Sequence, residues 1–254
     1  TGSDIPFRWP DVEFGRRFLT KLWNAARFVS TQLEDFKFNK KYELQLLDRW
    51  ILNKAEKLTR QVTDALEKCQ FNIALEEIRN FTWRMFCDQY IEAVKDRLYK
   101  PELYGEEKRG AVQFALYNVL YRVIQLLAPI SPHMTEEIYQ TMYVEDVGVE
   151  SLQLTPWPIA EARKINEEAE KQGDLVVAVI AEIRREKSEK RKPLNTPIKT
   201  VKIYAGNRKL ARILSENSED IAGTCKILDI EILPEKGEGT KIQENTEISF
   251  ISEY

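Results

Sequence analysis

Histidine occurs once in this sequence, at position 133, and cysteine three times, at 69, 87 and 225. A single histidine leaves no paired-histidine metal site and only one residue from which a histidine-based triad could be built. His133 stands in the turn "PISPH", where a structural role at a helix start is the simpler reading. The cysteines are scattered and show no C-x-x-C spacing. That pattern predicts neither a disulfide framework nor structural zinc, and it fits a reducing compartment. Glycine and proline number ten each, too few for a fibrous or low-complexity chain. No apolar run exceeds "LVVAVIA" (175–181), far short of a bilayer span. No charged, apolar and small-residue leader opens the sequence, so no secretion signal is expected, and the expected location is cytoplasmic. An excess of positive charge is missing too: 38 Lys and Arg face 41 Asp and Glu, for a net charge of −3. Any nucleic-acid contact must therefore come from local basic patches within an acidic whole. No G-x-G-x-x-G, P-loop or G-x-S-x-G motif occurs. The acidic residues sit at helix-surface spacing, the pattern of a solvated face. The sequence thus singles out no catalytic residue and no metal ligand, and reads as a binding or scaffolding protein.

What is present is helical periodicity. Between Val12 and Tyr143 apolar residues recur at helical spacing. Phe18, Leu19, Leu22, Trp23, Ala25, Ala26 and Val29 form one stripe and are read as core. Leu44, Leu47, Ile51, Leu58, Val62, Ala65 and Cys69 mark a second helix. Residues 72–99 form a third, with Leu75, Ile78, Phe81, Met85 and Ile91 inward. "KPELYGEEK" (100–108) breaks the pattern with Pro101 and Gly105. Val112, Leu116, Val119, Val123 and Leu127 build a fourth helix, and Pro132 opens a short fifth. Past "TPWP" (155–158) the character changes. A polar helix over 159–172 is expected to stop at Gly173-Asp174, with a new helix from Leu175 to Lys190. Strands are expected at 198–205, 226–233 and 246–252, with a helix at 207–222. The predicted fold is mainly α: a helical bundle over 1–158, then a small α+β module with a short antiparallel sheet over 159–254.

Two basic patches stand out. The face of the first helix opposite its apolar stripe carries Glu13, Arg17, Lys21 and Asn24, then Phe28, with Arg27 at its edge. Cations attract phosphate, an amide can bond a base edge, and an exposed ring can stack a base; these parts hold single-stranded RNA. Periodicity alone leaves a second reading open, in which Phe28 packs on a neighbouring helix and Lys21 is a surface charge. The other patch is "RREKSEKRK" (184–192), with Arg184, Arg185, Lys187, Lys190, Arg191 and Lys192 as phosphate-tracking candidates. It reads equally as a solvated helix end that suits the helix dipole.

Several segments together resemble one family. "GSDIPFRWPDVEFGRRFLTKLWNAARFV" (2–29), "DRWILNK" (48–54), "FTWRMFCDQYIEAVK" (81–95), "LAPISPHMTEEIYQ" (127–140) and "SLQLTPWP" (151–158) are similar, in this order, to the C-terminal anticodon-binding region of valyl-tRNA synthetases. These belong to the class I aminoacyl-tRNA synthetases. "EIRREKSEKRKPLNTPIKTVKIYA" (182–205) resembles the archaeal-type extension. The resemblance implies a bundle that reads the anticodon of a valine tRNA and supports ATP-dependent attachment of valine. It places Lys21 and Phe28 at anticodon contacts, adds Asn24, Arg17 and Arg27 as neighbours, and makes Arg8 a contact candidate just upstream. The C-terminal module would also touch tRNA. The H-I-G-H and K-M-S-K-S signatures of the class are absent. The implied reading is a C-terminal part without its own catalytic or editing site, joined to a catalytic core in the same polypeptide. It would need no cofactor here, with ATP and magnesium serving the full-length enzyme. The alternative is a protein-interaction or self-association scaffold within a larger protein.

Overall fold

The computed structural model describes residues 7–38, 40–161 and 165–254. Helix α1 (Trp9–Gln32) carries Pro10 in its first turn, where no backbone donor is needed. Helix α2 (Leu46–Glu67) follows. A continuous rod then runs through α3 (Phe71–Asn80), a π-helical stretch (Phe81–Ile91) and α4 (Glu92–Tyr99). The short α5 (Pro101–Tyr104) ends at Gly105, whose φ of 90° suits glycine. Helix α6 (Glu106–Leu127) crosses the centre of the bundle, and Pro132 occupies the first position of α7 (Pro132–Met142) as expected. A single-turn α8 (Val144–Val147) leads towards α9 (Glu167–Glu189). Strand β1 (Ile198–Tyr204), helices α10 (Arg208–Glu216) and α11 (Ser218–Cys225), and strands β2 (Ile227–Leu233), β3 (Thr240–Ile242) and β4 (Asn245–Glu253) complete the chain. Among the described residues no helix is long and apolar enough to cross a membrane.

The structure corrects several expectations. Gly173 does not end a helix: α9 runs through it. A Cβ there would lie 2.5 Å from Cγ and Cδ1 of Trp50, so glycine lets α9 lie directly on the indole of α2. Asp174 accepts the Trp50 Nε1–H bond at 2.8 Å. The cap is Asn166, whose side chain accepts from Ala169 N at 3.0 Å; part of the helix expected over 159–172 lies outside the described residues. The sheet, of order β2-β1-β4-β3, is mixed rather than antiparallel. The α10–α11 crossover returns β2 parallel to β1, and β4 runs antiparallel to β1. The helix expected at 207–222 is broken at Asn217, whose side chain donates to the Ile213 carbonyl at 2.7 Å.

A further correction concerns register. A regular helix over 72–99 would turn Leu75 and Met85 inward, yet Leu75 is exposed and Met85 only partly covered, while Phe86, Cys87 and Tyr90 are buried. Leu75 lies in the regular α3, ahead of the widening; from Phe81 the π-helical stretch opens the turn to i→i+5 bonding and advances the inward face past Met85. Trp23 also leaves the core to which its periodicity assigned it: it is 37% exposed.

The C-terminal part is fastened to the bundle at two places. Helix α9 lies on α2, where Lys54 bonds Glu170 at 2.9 Å and Asn53 donates to the Asn166 carbonyl at 2.9 Å. Helix α11 lies on α4, where Thr224 donates to the Ala93 carbonyl at 3.0 Å and Lys226 pairs with Asp96 at 2.5 Å. Beside this second contact is a buried charged cluster. Arg97 donates to both oxygens of Asp48, at 3.0 and 3.1 Å, and its Nε lies 2.9 Å from Asp220. Tyr90 Oη donates to Asp48 at 2.8 Å. Two carboxylates share one guanidinium. Burial, opposed by Arg97 and assisted by Asp48, lifts Asp220 to about 6.

A pH dependence follows. The native state holds the Asp220 proton more tightly than the unfolded chain does. The contribution of this group is therefore complete below about pH 4 and is lost as pH rises through about 6, a change of about 3 kcal/mol. Asp96 and Glu170, whose lysine partners outweigh their burial, tilt the parent curve the opposite way. The test is thus a difference: urea unfolding of the parent chain and of Asp220→Asn from pH 4 to 7. The parent should lose ground to the variant across that range. Parallel curves would show that Asp220 does not titrate there.

Candidate nucleic-acid interface

The exposed side of α1 faces the π-helical stretch and α4. Lys21 Nζ donates to Asp88 at 2.7 Å and sits 5.8 Å from the Trp83 ring centroid. Burial would lower the Lys21 pKa, but the Asp88 carboxylate outweighs it and holds the ammonium above its ordinary value. Two turns further on, Phe28 is half-buried. Its ring meets Tyr99 edge-on at 6.4 Å, and Lys95 Nζ stands 6.0 Å from it. Phe28 is thus neither a free platform nor sealed in the core; it forms part of an aromatic and cationic strip with Tyr99 and Lys95. Arg17 and Asn24 are exposed on the same face of α1. Arg27 turns away: with Trp23, Ser30, Ile138, Thr141 and Met142 it lines a groove between α1 and α7. Arg8 pairs with Asp11 at 2.8 Å at the far end of α1, about 30 Å from Phe28 at 1.5 Å per residue.

The second patch does not act as a block of six cations. Lys187 is fully buried, and its ammonium donates to the carbonyls of Leu194, Thr196 and Cys225 at 3.0, 2.6 and 2.6 Å. This corrects its assignment as a phosphate contact: the side chain closes the end of α9 against the sheet and α11, and burial pulls its pKa down. Arg184 reaches Glu92 of α4 at 3.7 Å, which brings it near the α1 strip. Arg185 pairs with Glu182 at 2.7 Å, and Lys190 with Glu186 at 2.9 Å. The two cations are partly exposed while Glu182 and Glu186 are buried, so a phosphate would share each cation with a carboxylate and not displace it. Lys192 lies 4.4 Å from the Tyr254 ring, and Arg191 is exposed with φ of 54°.

Sequence reasoning overlooked Trp83, Asp88, Lys95 and Tyr99, although "FTWRMFCDQYIEAVK" contains three of them. The missing signal was the widened turn, because a 3.6-residue projection does not carry through a π-helical stretch. Nothing at this face has the chemistry of a nucleophile. Burial raises the neighbouring Cys87 thiol to about 12, which keeps it protonated. Among the described residues no three His, Cys, Asp or Glu side chains gather to hold a metal ion. A larger cavity, about 850 Å3, lies between α2, α6 and residues 156–159. Its Arg49, Asn53, Asn118, Arg122 and Trp157 already donate hydrogen bonds within the protein.

Residues 48–203, more than half of the chain, match the family model described as the anticodon-binding domain of tRNA ligase. That span includes Trp83, Asp88, Lys95 and Tyr99, while α1 precedes it. The chain is 43% identical over 240 residues to a valine–tRNA ligase of Methanothermobacter thermautotrophicus, covering 94% of this chain and 26% of that protein. It is 40% identical over 239 residues to the enzyme of Pyrococcus furiosus and 41% identical over 239 residues to that of Pyrococcus horikoshii, in each case over 93% of this chain and 26% of the relative. The chain thus spans about a quarter of the length of these archaeal relatives. By its fold, its sequence order and the matched span, the chain belongs to the anticodon-binding domain family of tRNA ligases.

Proposed function

We propose that this chain is the tRNA-binding part of a valine–tRNA ligase, and that the strip between α1 and the π-helical rod receives unpaired bases of the anticodon loop. One observation carries the reading. Lys21 and Phe28, the residues at which the resemblance places anticodon contacts, are both half-exposed on one face of α1. That face continues through Trp83, Lys95 and Tyr99 of the matched family span. Rings and cations in this pattern stack splayed bases and neutralise their phosphates. Asn24 and Arg17 flank the strip, and Arg184 extends it towards α9. Residues 1–158 would read the anticodon loop, and 159–254 would grip the adjoining backbone through Arg185, Lys190, Arg191 and Lys192. Attachment of valine, with its ATP and magnesium, would belong to other parts of a longer protein.

The test is binding of a valine tRNA to the chain and to Phe28→Ala. A lost stacking platform should weaken binding by about 1–3 kcal/mol. Affinity should also fall steeply with salt, because phosphate contacts release counterions. Stability should fall by less than the 3–5 kcal/mol typical of a fully buried phenylalanine. Unchanged affinity together with a full core-type loss of stability would assign Phe28 to packing. Salt-insensitive self-association without tRNA binding would favour a scaffold instead.

A further inference from the structure

Two turns before Lys21, the α1 strip continues into a notch that this reading leaves without a role. Phe14 is 42% exposed, although it begins the helical repeat that Phe18 and Leu22 carry into the core. The Arg79 guanidinium sits 4.8 Å from its ring centroid. Asn80, Trp83 and Arg84 complete the walls of an open notch of about 190 Å3. Trp83 joins the two regions, because the indole that lines the notch is also the ring beneath Lys21. Notch and anticodon strip are therefore one surface. Its charge is locally reversed in an acidic chain. Among the described residues Arg17 and Arg84 have no carboxylate partner, and Arg79 has only Glu76 at 3.7 Å. The widened π-helical turn starts at Phe81, at the notch itself, and such turns recur at functional sites.

Resting on the anticodon-loop reading, we propose that this notch is a second nucleotide subsite. It takes one unpaired RNA nucleotide, with the base against Phe14 and Trp83 and the phosphate against Arg84 and Arg79. The nucleotide is distinct from the one at Phe28. Phe14 and Phe28 lie about 21 Å apart along α1 at 1.5 Å per residue, several times the 3.4 Å rise between stacked bases. Guanidinium groups and exposed rings together select a strand with accessible base faces over a duplex.

The experiment uses the full chain and an RNA hairpin carrying the anticodon stem and loop of a valine tRNA, with 4-thiouridine placed at each loop position in turn. One position should cross-link to the peptides bearing Phe14 or Trp83, and a different position to the peptide bearing Phe28. Phe14→Ala should weaken hairpin binding about fivefold or more. Arg84→Gln, a surface change that leaves the thermal midpoint in place, should weaken binding and reduce the salt slope by about one. If both variants bind like the parent while Phe28→Ala binds weakly, the second subsite is wrong and the anticodon reading survives. If all three bind like the parent, both readings fall. Cross-linking of every loop position to the notch alike would also overturn the subsite, since it would show passage of the strand and not a seat for one nucleotide.

Discussion

Arg97→Ala is expected to remove about 3–5 kcal/mol of stability, enough to unfold a marginal chain. Arg97 is 2% exposed and is the cation that meets Asp48 and Asp220. Asp48 is otherwise well served: it also accepts from Tyr90 Oη at 2.8 Å and from the backbone N–H of Gln45 at 3.0 Å, where it caps the start of α2. Removing the guanidinium leaves two buried carboxylates without their shared cation, and truncation of one partner of a buried ion cluster costs far more than the intact cluster contributes. Arg97→Lys should rescue poorly, because a single ammonium cannot reproduce the two bonds to Asp48 and the contact with Asp220 at once. Urea unfolding checks this: the midpoint should fall with little change in slope. A loss below about 1 kcal/mol would mean that water enters the junction and solvates the acids.

Trp50→Ala is the second large effect, also about 3–5 kcal/mol. Trp50 is almost wholly buried, donates its indole N–H to Asp174, and fills the space that Gly173 leaves open. The two positions should be coupled. In the parent chain Gly173→Ala drives a methyl into the indole and should destabilise by about 1–3 kcal/mol. In the Trp50→Ala background the same change meets a cavity, and the helix preference for alanine over glycine, about 1 kcal/mol, should appear as a gain. Opposite signs in the two backgrounds are the expected result of the double-mutant cycle. Additive effects would show that α9 does not rest on Trp50 in solution.

Much of the architecture was legible in the residues. The apolar stripes marked α1, α2 and α6, and Val112, Leu116, Val119, Val123 and Leu127 are all buried as their spacing required. Pro132 opened a helix because its ring suits a first turn. The alternation in "IKTVKIY" predicted β1, in which Val201 and Ile203 are buried on one face and Ile198 on the other. Less of the candidate interface was legible. Helical projection put Lys21 and Phe28 on the wet side of α1. It could not show that Asp88 would hold Lys21, or that Tyr99 and Lys95 would stand against Phe28, since each of those partners is more than sixty residues away in sequence.

Local periodicity by itself determined which face of each segment seeks a core and where proline and glycine interrupt it, because both depend on neighbours three or four residues away. Tertiary structure alone decided the rest. Trp50 turned Gly173 from a helix stop into a packing site, and the α10–α11 crossover made β2 parallel. Three carbonyls from the chain ends around α9 and α11 took Lys187 out of the surface charge. In each case the deciding energy is a steric, hydrogen-bond or desolvation term between residues far apart in the chain, and such a term exists only once the fold has brought them together.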